Sequence, residues 1–294
     1  FLKDEAARLK KLHRGGGLGR EVCRARAAVI DALIRYLLNT AIGLVPLGKF
    51  KSSPAITVVA IGGYGRAELN SHSDIDILFL CDDRLLAKPK PEEFLQSITD
   101  TVLYTLWDVG LKIGYSVRRV RDCVEEANKD MQSKTALIES RRVAGDASLF
   151  KKMEQAVHAK CVKPHVADYI VARLEDQAGR RAKHGNAVTM QEPNIKNGCG
   201  GLRDYQNLRW MMHFTLGYSS VEDLEKQKVV SKAEAERLEA AYSFLLRSRT
   251  ELHYQVDRAV DALSKAVQPK VAWQLGYTNH SPAKRLEAFM GDYY

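Results

Sequence analysis

The sequence predicts an α/β domain built on a small sheet, followed by an all-helical domain. Two observations lead to this fold class. Between residues 56 and 121, apolar runs typical of strands are separated by a glycine-rich turn and by one helical segment. From about residue 122 onward, Leu, Ala and charged residues recur at three- and four-residue steps, which is the period of a helix. We therefore predict an N-terminal helical segment over 1–50, an α/β domain over 51–145 and a helical domain over 146–294.

Composition places the chain among soluble globular proteins and favours negatively charged partners. It has 294 residues, of which 45% are hydrophobic and 28% charged, enough for two domains. The net charge of +9 favours nucleotides, nucleic acids or an acidic protein as partners. The five cysteines show neither CxxC pairs nor metal-ligand spacing with histidines, so we expect buried thiols in a reducing compartment.

Residues 1–42 read mostly as helix, interrupted by the four glycines of "RGGGLG" at 14–19. The apolar stretch that begins at Val29 is broken by Asp31 and Arg35 and has helical periodicity, which indicates an amphipathic helix rather than a membrane span. Nothing resembles a cleavable signal, so we expect a cytoplasmic protein. Because the chain starts at Phe1 and its last residues still have a helical pattern, we expect it to be part of a longer protein.

The predicted α/β domain has its elements in the order strand, turn, strand, helix, strand. "ITVVAI" at 56–61 and "DIDILFL" at 74–80 are runs typical of buried strands, and "GGYGR" ends the first of them. We predict a short helix around 67–69, a longer helix over 92–109 and a third strand over 111–120. Trp107 and Trp210 lie among aliphatic residues at helical spacing, so we expect both in the core.

Two aspartates at the start of the second strand are the candidate catalytic and metal-binding residues. Residues two apart on a strand point to the same side, so Asp74 and Asp76 are expected to share a face, about 5–7 Å apart. Two half-buried carboxylates at this spacing ionise together only with a cation between them, and Mg²⁺ is the cation that carboxylates and phosphate oxygens favour. The pair therefore predicts a metal-bound triphosphate and nucleotidyl transfer with loss of pyrophosphate.

Residues around the aspartates are candidate phosphate ligands. Gly62 and Gly63 follow the first strand and allow the backbone to approach an anion closely. Arg66 and Ser73 are placed with them as nucleotide-binding residues. The structural alternative is that the glycines form only a turn and that the two aspartates are a chance pattern. A P-loop kinase or ATPase is disfavoured because the chain has no GxxxxGK[ST] motif.

The order of these parts resembles the polymerase-β-type nucleotidyltransferase superfamily, in which h-G-[GS] is followed by D-x-D, and this resemblance implies a polymerase-β-like sheet. Longer motifs are similar to the N-terminal half of the bifunctional uridylyltransferase/uridylyl-removing enzyme family. They are "AIGGYGRAELNSHSDIDILFL", "LYTLWDVGLKIGYSVR", "TALIESRRVAGDASLF", "EPNIKNGCGGLRDYQNLRWM", "ELHYQVDRAVDAL" and "RLEAFMGDYY". The similarity extends from about residue 55 to the end and is weaker over the first fifty residues.

The resemblance implies transfer of UMP from UTP to a tyrosine of the PII signalling protein, with Mg²⁺ required. It implies that Gly62 and Gly63 hold the triphosphate and that Asp74 and Asp76 bind the metal. The family's hydrolytic HD domain and its ACT domains are expected to be absent, since none of the eight histidines is followed by aspartate. The choice between UTP and ATP is left open, because the sequence does not locate the residues that contact the base.

The superfamily also implies a third carboxylate on a neighbouring strand, which this chain lacks at the expected place. The predicted third strand carries no acid, and Ser116 lies near the expected position. We rank Asp204 first as the third catalytic acid because it closes "GCGGLRD". For Asp130 and Glu139 we favour the alternative of a solvated helix position or an ion pair between helices.

The segment "EPNIKNGCGGLRD" resembles the K-x-G-x-G-G-[IL]-R-D stretch of glutamine synthetase adenylyltransferase. Because enzymes with different targets share it, we place Lys196 and Arg203 with the nucleotide-binding residues, as clamps on triphosphate or pyrophosphate. The alternative is a helix-capping loop in which Glu192 and Asp204 pair locally with Lys196 and Arg203.

Three classes of function stay open at this point. The first is a protein-modifying nucleotidyltransferase that acts on PII. The second is an enzyme of the same fold that uses ATP as the donor, like glutamine synthetase adenylyltransferase, or that modifies another acceptor, such as an RNA or an antibiotic. A nucleic-acid partner is disfavoured because interleaved aromatic and basic motifs are missing. The third is a non-catalytic domain that binds nucleotide, which the intact aspartates oppose and the missing third acid favours.

Overall fold

A computed structural model describes residues 1–46, 50–86, 92–218 and 220–294, which form two compact units. The sheet unit consists of Ala27–Leu69 and Ser73–His165. The helical unit consists of Phe1–Arg26, Asn70–His72 and Val166–Tyr294. The compact units therefore have other boundaries than the predicted 1–50, 51–145 and 146–294, and the short segment 70–72 belongs to the helical unit although the chain on both sides of it does not.

The sheet unit is built on a small mixed sheet, as predicted, and the sheet has four strands. Its strands are β1 (Ile56–Ala60), β2 (Ile75–Cys81), β3 (Ile113–Arg118) and β4 (Arg141–Gly145). Their order in the sheet is β3-β2-β1-β4; β1 pairs antiparallel with β2 and β4, and β2 pairs parallel with β3. The first three strands match the sequence prediction, whereas β4 was not predicted because "RRVAG" is short and carries two arginines.

Thirteen α-helices lie in the described parts of the chain, besides three short 3₁₀ or π segments at 83–86, 158–162 and 163–165. The first seven are α1 (Leu2–Arg14), α2 (Gly19–Leu44), α3 (Gly62–Gly65), α4 (Glu93–Asp108), α5 (Val120–Lys129), α6 (Met131–Ile138) and α7 (Ala147–Val157). The other six are α8 (Val166–His184), α9 (Leu202–Leu216), α10 (Val221–Lys226), α11 (Lys232–Val256), α12 (Gln268–Gln274) and α13 (Pro282–Tyr293). The helical run predicted over 147–176 is interrupted between α7 and α8 by short turns that include Pro164, which cannot donate a helical N–H.

Helices cover both faces of the sheet. On one face, side chains of α2 and α4 pack with Ile77 and Phe79 of β2 in one core. On the other face, side chains of α5 and α7 pack with Leu78 and Leu80 of the same strand in a second core. This burial on both sides explains why β2 reads as a continuous apolar run after its polar start.

Helix α2 is long and apolar enough to cross a membrane by length and composition alone, and it is the one such helix in the described chain. Six of its apolar side chains are buried in the first core of the sheet unit, whereas Leu44 at its end is exposed. The six are Ala27, Ile30, Ile34, Leu37, Leu38 and Ala41. This agrees with the amphipathic helix predicted from the sequence.

The helical unit has its own core, formed mainly by side chains of α11, α12 and α13, and this confirms the predicted all-helical part. Trp210 of α9 is 3% exposed, as expected for a core residue. The same expectation was wrong for Trp107 of α4, which is 40% exposed. Trp107 lies near the C-terminal end of α4, one position after the buried Leu106, and therefore outside the buried stripe of that helix.

A buried polar network ties α2 to the turn after β1 and to β4. Tyr64 is fully buried and its hydroxyl donates to Asp31 Oδ1 at 2.6 Å. Arg141 donates to both carboxylate oxygens of Asp31, at 2.6 and 3.0 Å. Burial, with the neighbouring Asp31 carboxylate adding to it, raises the pKa of the Tyr64 phenol well above its ordinary value. Tyr64 and Arg141 therefore have structural roles.

Replacing Asp31 with Ala is expected to lower the free energy of unfolding by about 2–3 kcal/mol, because the buried Tyr64 hydroxyl and the Arg141 guanidinium both lose their acceptor. Urea unfolding followed by circular dichroism measures the loss. Asp31→Asn keeps an acceptor for the Tyr64 hydroxyl and should cost less. A loss for Asp31→Ala below about 0.5 kcal/mol, the range of ordinary surface substitutions, would contradict the structural role of this network.

Candidate active site

The glycine turn after β1 leads directly into the short helix α3. Gly62 has φ +58°, a backbone conformation that glycine adopts without strain, and it is the first residue of that helix. The helix predicted around 67–69 therefore begins five residues earlier than expected. The chain turns directly after the last hydrogen bond that it makes with β2, from the Ile61 N–H to Asp76 O at 3.1 Å. The first N–H groups of a helix have no partner within it, which makes the amides of Gly62 and Gly63 the available donors of this turn.

Asp74 and Asp76 lie on one side of β2, as the strand period predicts. Asp74 directly precedes the strand and Asp76 is its second residue, and both are exposed. Ile75 and Ile77, which alternate with them, are 1% and 0% exposed. The two carboxylates are therefore presented to solvent by a strand whose other side is anchored in the core.

The Asp76 carboxylate lies between two glycines on neighbouring elements. A Cβ atom on Gly114 would be 2.5 Å from Asp76 Oδ1, and a Cβ atom on Gly62 would be 3.8 Å from Asp76 Oδ2. In the parallel pairing of β2 with β3, Gly114 is the register partner of Asp76. A side chain at residue 114 would occupy the space that this carboxylate fills and would displace it, so glycine keeps the carboxylate in this position.

The sequence reading missed Gly114 as a site residue. The third strand was expected to supply an acid near Ser116, whereas Ser116 pairs with Leu78, two residues further along β2 than Asp76. A glycine inside a predicted strand indicates close approach of another group, and this signal was present in "KIGYSV".

Arg66 ends α3 and is held by two carboxylates of the sheet unit. Its Nε donates to Glu68 Oε2 at 2.7 Å and its Nη1 to Glu139 Oε2 at 2.6 Å, and all three side chains are largely buried. The third nitrogen, Nη2, lies 3.7 Å from the position of a Cβ atom on Gly63. Arg66 thus lies beside the glycine turn with its Nε and Nη1 bound to carboxylates, and its predicted phosphate contact stays a prediction.

The two lower-ranked candidates for a third carboxylate have structural partners. Asp130 caps the N-terminus of α6 and accepts from the backbone N–H groups of Gln132 and Ser133, at 2.8 and 2.9 Å. Glu139 pairs with Arg66. Both agree with the structural alternative favoured from the sequence. In the parts of the chain that the structure describes, no group of three or more His, Cys, Asp or Glu residues is placed to hold a metal ion.

Asp204 has its observed partners within the helical unit. Its Oδ1 lies 3.2 Å from Arg180 Nη2, and its Oδ2 lies 3.6 Å from Arg181 Nη2 and accepts from the Gly200 N–H at 3.0 Å. These arginines belong to α8 and are not the partners that the capping-loop alternative assigned to Asp204. Its role as a third catalytic acid stays a prediction.

The segment that contains Lys196 and Arg203 is a bonded turn in the helical unit rather than a loose loop. Ile195 is fully buried, and its N–H donates to Asp261 O at 2.8 Å. Lys196 O accepts from Arg203 N–H at 2.9 Å, so the two predicted phosphate ligands are joined through their backbones. The Arg203 guanidinium carbon lies 5.0 Å from the centroid of the Trp210 ring. Both residues stay predicted nucleotide ligands.

Asp261, an acid of the helical unit, interacts electrostatically with Lys196. Burial alone would raise the pKa of its carboxyl, but Arg249, whose Nε donates to Oδ1 at 2.7 Å, and Lys196 together hold the pKa below its ordinary value. Glu192, the other acid of the capping-loop alternative, accepts from the Lys265 backbone N–H at 2.7 Å.

The spacer before the aspartates is bound to the helical unit through Asn70. The side-chain amide of Asn70 donates to Thr250 Oγ1 at 2.7 Å and to Leu246 O at 3.0 Å. Its carbonyl oxygen accepts from Arg249 Nη1 at 2.5 Å. Asn70 is 1% exposed, so these bonds are made away from water. Ser73, the next predicted nucleotide ligand, returns to the sheet unit.

Replacing Asp204 with Asn is expected to lower the free energy of unfolding by about 1 kcal/mol, because its ion pairs with Arg180 and Arg181 are partly exposed. Thermal and urea unfolding measure this. Label transfer to an acceptor separates the two roles: a loss of about 10²-fold in a protein that stays folded supports the catalytic role, whereas a stability loss alone assigns Asp204 to the arginine pairs.

Comparison with known proteins identifies relatives of both parts of the chain. Residues 168–294 match the model of the GlnD PII-uridylyltransferase family, and residues 17–106 match the model of glutamate-ammonia ligase adenylyltransferase. The second match contains the glycine turn and both aspartates.

Three bifunctional uridylyltransferase/uridylyl-removing enzymes illustrate the relationship. The enzyme of Azospirillum brasilense is 34% identical over 294 residues, all of this chain and 31% of its own length. The enzymes of Cereibacter sphaeroides and Rhodopseudomonas palustris are 36% and 34% identical, each over 94% of this chain and 29% of their own length. The chain therefore spans about a third of the length of the curated relatives that it matches.

Proposed function

We propose that this chain, which belongs to the family of the bifunctional uridylyltransferase/uridylyl-removing enzymes, transfers UMP from UTP to a tyrosine of a PII protein and releases pyrophosphate. The observation that carries the proposal is the pair of exposed carboxylates, Asp74 and Asp76, next to the glycine turn. The PII acceptor and the uracil base come from the relatives' names and family, and we extend them to this chain. We also propose a cytoplasmic location.

The donor set at Asp74 and Asp76 fits Mg²⁺. Both side chains supply hard oxygen ligands, and the two glycines beside Asp76 leave its carboxylate accessible where any side chain at residue 114 would fill the space. Asp74 and Asp76 would hold the ion and leave its other positions for water and phosphate oxygens. When bound, Mg²⁺ would neutralise negative charge on the triphosphate.

The chain's own residues then bind and orient the triphosphate. The amides of Gly62 and Gly63 are suited to donate to phosphate oxygens, and Lys196 and Arg203 are proposed to bind the triphosphate or the leaving pyrophosphate. The phenolic oxygen of the acceptor tyrosine forms a bond to the α-phosphorus as the bond to the bridging oxygen breaks. Pyrophosphate leaves, and the phenol proton passes to a site carboxylate, for which Asp204 is the proposed candidate, or to water.

The direct test uses the chain, Mg²⁺, PII and UTP labelled at the α-phosphate. We expect labelled PII that disappears when EDTA removes the metal. UTP labelled at the γ-phosphate serves as the control, because uridylylation leaves that label on pyrophosphate and not on PII. Label on PII from the γ-phosphate would show phosphorylation instead, and no label from either nucleotide would contradict the proposal.

The second candidate is AMP transfer from ATP. It is favoured by the match of residues 17–106 to glutamate-ammonia ligase adenylyltransferase, since this range contains Gly62, Gly63 and both aspartates. The same assay with ATP labelled at the α-phosphate distinguishes the two. If nucleotide binds but no label moves to protein from UTP or ATP, the chain acts as a non-catalytic nucleotide-binding domain.

A further inference from the structure

The edge of the sheet next to Asp76 is formed by β3. In the described sheet β3 pairs with β2 on one side and is the last strand in the order. The Ile75 N–H donates to Lys112 O at 2.9 Å. Because alternate residues of a strand direct their backbone groups to the same neighbour, those of Gly114 also face β2, and those of Ile113 and Tyr115 face outward. An edge of this kind is a template for an added strand.

A row of exposed aromatic side chains lies beside this edge. Tyr104, Trp107 and Tyr115 are 58%, 40% and 51% exposed. The ring centroids of Tyr104 and Trp107 are 5.8 Å apart, and those of Trp107 and Tyr115 are 6.0 Å apart, both edge to face. Three large aromatic rings that contact one another and remain exposed are typical of a protein-interaction surface. We call these three residues the aromatic row.

Gly114 of β3 lies between this edge and the carboxylate of Asp76. This glycine is the register partner of Asp76 and is exposed. Tyr115 of the aromatic row is the next residue and points to the opposite face of the sheet, so an added strand would meet the row on one face and the Asp76 site on the other. A strand added alongside β3 would run two strand spacings, about 10 Å, from the backbone of Asp76. Since Gly114 has no side chain, a long side chain on the added strand could pass over it toward the Asp76 carboxylate.

We propose that the edge of β3 and the aromatic row bind the acceptor protein by strand addition, with an extended, tyrosine-bearing segment of the acceptor as the fifth strand. The aromatic row contacts the segment on the face of the sheet that α4 covers, and the tyrosine of the segment points to the opposite face, where its hydroxyl reaches over Gly114 to the site at Asp76. This mode supplies affinity through main-chain hydrogen bonds and specificity through side-chain contacts. The inference rests on the proposed transfer to PII, because that reaction requires a tyrosine to enter this site.

A pair of substitutions at one position tests the strand addition. Tyr115→Thr removes the ring but keeps the outward N–H, whereas Tyr115→Pro removes both without removing a bond to β2. We expect Tyr115→Thr to raise the KM for PII and Tyr115→Pro to raise it about three- to tenfold further, with the KM for UTP unchanged in both. Tyr36→Thr, at a tyrosine of α2 that is 68% exposed, is the matched control and should leave both values unchanged.

Two further measurements make the outcome decisive. Trp107→Ser keeps the backbone of β3 intact and should also raise the KM for PII, which guards against misfolding of the proline variant. Hydrogen exchange on the wild-type chain, with PII added but no nucleotide, should show slower exchange at residues 113–118.

The possible failures are distinguishable. A wild-type chain that labels PII while all three variants keep its KM for PII overturns the strand addition alone, as does unchanged exchange at 113–118. Slower exchange there that depends on the concentration of the chain and not on PII would assign the edge to a second copy of this chain and overturn the inference. A wild-type chain that labels no acceptor overturns the proposed function, and the inference falls with it.

Discussion

Asp76→Asn is expected to reduce transfer of UMP by roughly 10³-fold, on the order of 4 kcal/mol of transition-state stabilisation. The amide keeps the shape of the side chain but removes the charge that holds a cation against the triphosphate. Since Asp76 is exposed on its strand, the free energy of unfolding should change by less than about 0.5 kcal/mol. Single-turnover transfer of label from UTP measures the loss, and Asp74→Asn should behave alike.

The matched control lies just beyond the opposite end of β2. Asp83 is an exposed aspartate two residues after that strand, and Asp83→Asn should leave transfer unchanged. If Asp76→Asn retained more than about a tenth of the wild-type rate, the carboxylate pair would not be the metal site. Raising the Mg²⁺ concentration should restore part of the activity of the variant if weakened metal binding is the cause.

Gly114→Ala is expected to reduce transfer by about 10²-fold without unfolding the chain. The added Cβ atom would lie 2.5 Å from Asp76 Oδ1, so the carboxylate has to move by about 1 Å. Within a strand, alanine costs less backbone entropy on folding than glycine, so this term should not lower the free energy of unfolding. The kcat for UMP transfer and a thermal unfolding curve of the same preparation separate the two effects.

Gly43→Ala in α2 is the control for this substitution, because a Cβ atom there meets nothing within 4 Å. The double variant of Gly114→Ala with Asp76→Asn gives a sharper test. Because the alanine acts through the carboxylate, the two losses should not add, and the double variant should be about as slow as Asp76→Asn alone. Additive losses would mean that Gly114 has a role of its own.

Much of the sheet unit could be predicted because its signals are local. The period of two residues in "DIDILFL" set which side chains of β2 are buried, and the pair of glycines marked the turn after β1. Helix α4 had a clear stripe of six buried apolar residues. These features depend on neighbours within a few positions, which a single sequence contains.

The remainder depended on contacts between distant residues. Arg66 was predicted to bind phosphate, but no local pattern indicates that Glu139, 73 positions away, pairs with it. The register that sets Gly114 opposite Asp76 follows from the pairing of β2 with β3, which periodicity does not determine. Trp107 has the spacing of a core residue, yet the face of α4 that packs on the sheet ends one position before it.

The three residues from Asn70 to His72 have a consequence for attempts to exchange parts between relatives. Because this segment belongs to the helical unit while the chain before and after it does not, neither unit is a continuous stretch of sequence. A graft of residues 27–165 into another protein would carry Asn70 without Thr250 and Arg249, and the hydrogen bonds that hold the spacer before Asp74 and Asp76 would be lost. A chimera of two relatives in which the sheet unit and the helical unit come from different parents should therefore take residues 70–72 from the parent of the helical unit.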